Sequence, residues 1–216
     1  HVDELYSTQE MKETTRKFLA DEFRYLRSFT KDIFTSFEER IIVAQGEVIS
    51  TNMVVNYLKE IGIKALLIDA LDFMRTDKNA EPDAHYIKEH LSEIMSANKG
   101  YQIYITQGFI CRNAYGEVDN LQRGGSDYTA SLIGAALMAD EIIIWTDIDG
   151  MHNNDPRIVD KTEAVHQLHF EEAAELAYFG AKILHPTCVQ PAKFTGIPVR
   201  IKNTMDPEAD GTVINN

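Results

Sequence analysis

Leu121-Gln-Arg-Gly-Gly-Ser-Asp-Tyr-Thr-Ala130 runs directly into Ser131-Leu-Ile-Gly-Ala-Ala-Leu-Met-Ala139. The first segment gathers a cation (Arg123), two glycines (Gly124 and Gly125), a hydroxyl (Ser126) and a carboxylate (Asp127). The second is apolar and rich in small residues, which predicts a buried helix. Glycines ahead of a helix let the backbone approach a ligand closely, and the unpaired N–H groups of the first turn favour an anion. Arg123 suits bidentate pairing with a carboxylate or phosphate, and Asp127 suits an amine or a metal. Taken alone, Gly-Gly-Ser-Asp reads rather as a glycine turn capped by Ser126 or Asp127.

Working outward, strands and helices alternate along the chain. Ile63–Asp69, Tyr101–Thr106, Glu141–Trp145 and Pro198–Lys202 are short apolar runs that predict strands, with a last one at Gly211–Ile214. Asn52–Glu60, Asp83–Asn98, Phe170–Tyr178 and Pro186–Phe194 predict helices. Asn113–Asp119 reads as a hairpin around Gly116, and Asp69–Pro82 as polar loop. This order predicts a three-layer αβα sandwich with a mainly parallel sheet, and Glu141–Trp145 as a strand buried on both faces. Residues 1–40 predict a helical hairpin, one helix capped by Ser7 or Thr8 and a shorter one over Ser28–Phe37. Ligand sites in open α/β sheets lie beyond the carboxyl ends of strands. Gln107-Gly-Phe109, Thr146-Asp147 and the glycine turn all fall there, which predicts one shared cleft.

Composition narrows the class. The 216 residues are 44% hydrophobic and 25% charged, ordinary for a soluble globular protein. A net charge of −13 without a basic stripe argues against a nucleic-acid partner. No apolar run is long enough to span a bilayer, so no membrane partner is expected. Cys111 and Cys188 lie far apart, suggest neither disulfide nor metal site, and fit a reducing compartment, the cytoplasm. His185-Pro186 reads as a break before a helix rather than a metal ligand, and no protein-held metal is expected.

Four motifs in order, Arg123–Ala130, Trp145-Thr-Asp147, Asp155-Pro-Arg157 and Phe179-Gly-Ala-Lys-Ile-Leu-His-Pro186, resemble the aspartate kinases of the amino acid kinase family. The resemblance extends from about Gly46 to about Thr212. It implies the amino acid kinase (carbamate kinase-like) fold and transfer of the ATP γ-phosphoryl group to the side-chain carboxylate of L-aspartate. That is the first step of lysine, threonine and methionine biosynthesis. Mg2+ would ride on the nucleotide phosphates, and the full-length protein would form a homo-oligomer.

The resemblance also implies roles. Glu47, in Gly46-Glu47, would hold the amino group of the acceptor; its other reading is a carboxylate favoured by the start of a helix. Arg123 would pair with the acceptor α-carboxylate, Phe109 would line the pocket, and Ser126 and Asp127 would position substrate. Asp127 and Lys182 are the expected catalytic pair. Gly124, Gly125, Thr146, Asp147, His152, Arg157 and Lys182 would form the nucleotide half. His152 stands where relatives often carry tyrosine, and alone reads as an exposed loop histidine. The chain departs from the family at Val48, where a cation is usual, and at Cys111 and Gln122, where glycine is common. No Lys-Phe-Gly-Gly-Thr-Ser segment occurs in these residues. The expectation is therefore a partial catalytic domain, its first strand missing and its downstream regulatory domains absent, with weak or no turnover. The alternatives are a non-catalytic binding or assembly module of the same fold and a sister kinase for another acceptor such as glutamate.

Overall fold

A threonine hydroxyl sets where the first long helix begins. The computed structural model describes residues 1–31, 34–121, 124–154, 158–159, 161–179 and 184–216. A single helical turn, α1 (Val2–Leu5), leads to α2 (Gln9–Ser28), whose N-cap Thr8 accepts the Met11 N–H. The same hydroxyl donates to Glu60 Oε1 at 2.6 Å, and that carboxylate also accepts from the Ser7 and Thr8 amides. Glu60 thereby ties the start of α2 to the end of α3 (Ser36–Glu60).

Two expectations fail at α3. Ser28–Phe37 is not a helix: a 3-10 turn at Phe29–Lys31 is followed by Thr35 as N-cap of the next helix. Thr35 and Glu38 form a capping box, which fixes the helix start at Ser36. Nor does a new helix start near Glu47, because α3 runs unbroken through Gly46, and Glu47 lies in its middle. One interior glycine costs about 1 kcal/mol against alanine, too little to end a capped helix packed on its neighbours. The amino-terminal hairpin thus pairs α2 with an α3 that runs on to Glu60.

The chain folds into two compact units, 1–120 and 121–216. In the first, β1 (Ala65–Leu67) pairs in parallel with β2 (Ile103–Ile105), and α4 (Ala84–Ala97) connects them. Asp83 caps α4 by accepting the Tyr86 N–H at 3.1 Å. The hairpin of β3 (Ile110–Arg112) and β4 (Val118–Asn120) turns at Asn113–Glu117, as the sequence predicts. Asp69–Pro82 is not a solvated loop: a 3-10 turn covers Ala70–Asp72, and Ala70, Phe73 and Met74 are fully buried. The Met74 carbonyl accepts from Arg112 N–H and the Arg112 carbonyl from Thr76 N–H, so backbone pairing with β3 draws the segment inward. Ile41, Ala44, Val55, Ile68, Ile87, Leu91 and Ile110 are also among this unit's core residues.

In the second unit, α5 (Gly125–Leu137) packs on β5 (Ile142–Thr146) and on α7 (Gln190–Thr195). Gly134 permits this approach: a Cβ there would lie 2.5 Å from Ile142 Cγ1. The antiparallel pair β6 (Met151–His152) and β7 (Ala164–Val165) follows, then β8 (Gln167–His169) and α6 (Phe170–Phe179). With β9 (Val199–Asn203) and β10 (Thr212–Asn215), the sheet order is β5-β9-β10-β8. The outer pairs are parallel and the central pair antiparallel. The unit's core gathers Ile142, Ile144, Leu168, Phe170, Cys188, Val199, Ile201 and Ile214. Contrary to expectation, β5 is buried on one face only. Ile142 and Ile144 point into the core while Ile143 and Trp145 are 43% and 49% exposed, the period of two that pleating imposes. His185 marks the predicted break: its Nδ1 accepts the Thr187 N–H, and a 3-10 turn at Pro186–Val189 precedes α7.

Candidate functional site

The glycine turn opens α5 as its composition demands. The N-cap is Gly124, at φ +83°, with Gly125 at φ +48°, and neither Ser126 nor Asp127 caps the helix with its side chain. The Gly124 carbonyl accepts from the Asp127 and Tyr128 amides instead. Gly124 also lies against a thiol: a Cβ built there would be 1.7 Å from Cys188 Sγ. Only glycine fits, both for its backbone angle and for this contact.

Ser126 is exposed and Asp127 half-buried. Burial raises the Asp127 carboxyl above the usual aspartate range. Burial pushes the neighbouring Cys188 thiol up to about 12, and the Asp127 charge adds to this. Cys188 is therefore a packing thiol beneath the turn, far from reactive. The uncapped N-terminus of α5 suits an anionic group, and the Asp127 carboxylate stands in the same first turn.

At the end of β5, Thr146 donates through Oγ1 to Asp147 Oδ1 at 3.1 Å, and Asp147 is exposed. His152 is not a loop histidine. It lies on β6, 8% exposed, with Nδ1 2.9 Å from Thr162 Oγ1 and Nε2 2.7 Å from Asp149 Oδ1. The hydrogen bond with His152 holds the Asp149 carboxyl below its ordinary value. The β6–β7 hairpin, only two residues a side, draws His152 inward, and so short a pair left no periodic signal in the sequence. Arg123, Arg157 and Lys182, together with Gln122, lie outside the described residues.

In the first unit, Glu47 is half-buried on α3, and its carbonyl accepts the Thr51 hydroxyl at 2.7 Å. Phe109 follows β2 with φ +49°, a conformation a bulky side chain adopts only when its surroundings hold it, at a cost of about 1–3 kcal/mol. Such strain clusters at ligand clamps. Cys111 is fully buried in β3, and burial pushes its thiol up to about 12. The sequence reading missed Gln107 as more than part of a loop. It is 3% exposed, and its amide joins Ala70 N–H to Thr51 Oγ1. A lone glutamine at a strand end carries no signal by which this is read in advance.

Among the described residues, no group of three or more His, Cys, Asp or Glu is placed to hold a metal ion, and no helix is long and apolar enough to cross a membrane.

A family model described as the amino acid kinase family matches residues 4–203. Lysine-sensitive aspartokinase 3 of Escherichia coli (strain K12) is 41% identical over 180 residues, 81% of this chain and 40% of that protein. Aspartokinase 1, chloroplastic, of Arabidopsis thaliana is 41% identical over 181 residues, 80% of this chain and 32% of that protein. The crystal structure of E. coli aspartokinase III in complex with aspartate and ADP matches with a TM-score of 0.88 and 33% identity. That match covers 100% of this chain and 48% of the other. The chain thus spans less than half the length of these relatives. The family model takes in nearly every residue, and the solved aspartokinase matches the fold over the whole chain. The chain belongs to the amino acid kinase family and has its fold.

Proposed function

We propose that this chain forms part of the catalytic domain of an aspartate kinase, which transfers the γ-phosphoryl group of ATP to the side-chain carboxylate of L-aspartate. The observation that carries this reading is the match, over the whole chain, to an aspartokinase solved with aspartate and ADP. In the reaction an aspartate carboxylate oxygen attacks the γ-phosphorus in line. The new O–P bond forms as the bond to the β–γ bridging oxygen breaks, and ADP leaves with the electron pair. No covalent enzyme intermediate is needed. The protein's task is positioning and neutralising charge.

In this reading Glu47 takes the acceptor ammonium, Arg123 takes its α-carboxylate, Phe109 lines its pocket, and Ser126 and Asp127 position substrate. The uncapped N-terminus of α5 at Gly124 and Gly125 receives phosphate oxygens, its N–H groups donating to them. Thr146, Asp147 and His152 serve the nucleoside, and Arg157 and Lys182 the phosphates. Mg2+ is carried on the nucleotide phosphates, where it offsets charge that a chain of net −13 would otherwise repel. The two buried thiols suit a reducing compartment, assigned here as the cytoplasm, and the full-length protein is assigned as a homo-oligomer.

Calorimetric titration of this chain with Mg-ADP and then L-aspartate tests the assignment. Saturable heats for both ligands are expected. Binding of ADP alone would move the acceptor assignment to another carboxylate such as glutamate, and binding of neither would sink the kinase reading.

A further inference from the structure

The hydrogen bonds around Gln107 lead through Thr51 to the Glu47 carbonyl, and Gln107 stands two residues before Phe109. The aspartate kinase reading assigns Glu47 and Phe109 to the acceptor, and this inference rests on that reading. Gln107 stands just past the end of β2 and is almost wholly buried. Its Oε1 accepts the Ala70 N–H at 2.8 Å, in the segment that leaves β1. Its Nε2 donates to Thr51 Oγ1 at 3.3 Å, on α3. Thr51 is 9% exposed, and its hydroxyl donates to the Glu47 carbonyl at 2.7 Å, with a longer approach of 3.3 Å to Val48 O.

The direction of these bonds matters. A threonine hydroxyl carries one proton. Because Oγ1 receives the Gln107 N–H, that proton is turned toward the carbonyls of the Glu47 turn. The amide of Gln107 is used at both ends, so only a side chain of that length with a donor and an acceptor spans the gap. Two residues further on, Phe109 sits at φ +49°, a conformation that persists only where the flanking backbone is anchored. Gln107 is such an anchor.

We propose that Gln107 and Thr51 are positioning residues for the acceptor amino acid, a two-membered strap that holds the Glu47 turn of α3 and the Gly108-Phe109 loop in fixed register. Neither touches substrate. The strap acts through Glu47, which meets the ammonium, and Phe109, which bounds the pocket, and so governs acceptor affinity rather than nucleotide affinity.

The test uses Thr51→Val, which keeps the branched shape and removes the hydroxyl, and Thr51→Ser, which restores it. Each variant is titrated with L-aspartate and separately with Mg-ADP, at a temperature where circular dichroism shows both folded. Thr51→Val is expected to weaken L-aspartate roughly tenfold, about 1.4 kcal/mol, and to leave Mg-ADP within about twofold. Thr51→Ser is expected to bind both ligands like the parent. Amide exchange at Ala70 should quicken in Thr51→Val alone, as Gln107 loses its second anchor. Equal weakening of both ligands in Thr51→Val marks general loosening and overturns the proposal, as does undiminished aspartate binding. If the unsubstituted chain binds no L-aspartate, the acceptor reading itself fails and takes this inference with it.

Discussion

Gly124 carries two constraints that no other residue type meets together. Its φ of +83° is left-handed, and the space a Cβ would take is filled by Cys188 Sγ. Gly124→Ala should therefore cost more than the roughly 1–2 kcal/mol of the backbone angle alone. The steric part adds to it, for a total on the order of 3 kcal/mol in urea unfolding. Pairing it with Cys188→Ala should return the steric part and leave the angular part, a coupling that a double-mutant cycle measures. A Gly124→Ala variant as stable as the parent would contradict the packing described. That a glycine is required at this turn was legible in the sequence, because a Gly-Gly pair before an apolar helix has few other uses. That a cysteine more than sixty positions away supplies the obstacle was not, since a single buried thiol leaves no pattern.

Caps account for most of the elements that the sequence located well. Thr8, Asp83 and His185 each precede a helical run, and each accepts a backbone N–H there, the first two as favoured cap types. Where reading failed, competing signals lay within a few residues. Asn52–Glu60 read as a helix by itself, with Glu47 near its start, but the Thr35–Glu38 capping box and burial of Ile41, Ala44 and Val55 carry one helix through Gly46. The β6–β7 pair was invisible because two residues a side show no alternation. Asp83 shows how much one cap carries. Beyond capping α4 it pairs with Arg75 at 2.5 Å, and that guanidinium lies 3.7 Å over the Tyr86 ring, which stacks on His90. The Arg75 guanidinium and the Tyr86 N–H together hold the Asp83 carboxyl below the usual range. Asp83→Ala should destabilise the chain by about 1–2 kcal/mol, mostly through the cap, since a half-exposed ion pair contributes little. Asp83→Asn keeps an acceptor for Tyr86 N–H and should lose less than half of that. Equal losses in the two variants would assign the effect to the ion pair instead.

At the scale of the whole chain, carboxylates outnumber cationic side chains by 34 to 21, and their environments push them in opposite directions. Asp83, Asp149, Glu60 and Glu171 are held low by hydrogen bonds, Glu171 at about 2 beside Lys193 and His169. For these the unfolded chain binds protons more readily than the folded one. Their contribution is complete above their ordinary values, 3.8 for aspartate and 4.5 for glutamate, and disappears as pH falls through the lowered ones. Asp127 runs the other way. Its folded value is raised by burial, so its favourable contribution exists below 3.8 and is lost as pH rises through the raised value. Thermal melts of the parent and Asp127→Asn should therefore converge near pH 3 and separate toward pH 7, with Asn the more stable, while both melt earlier on acidification below about pH 4.5. A gap that does not change with pH, or one favouring aspartate at neutrality, would show that the carboxylate is not strained by its burial. If Asp127→Asn also loses L-aspartate or Mg-ADP binding while gaining stability, the two effects have one cause. A half-buried carboxylate that costs the fold is then kept for what it does to ligands, the trade between stability and function expected where a site is tuned for chemistry.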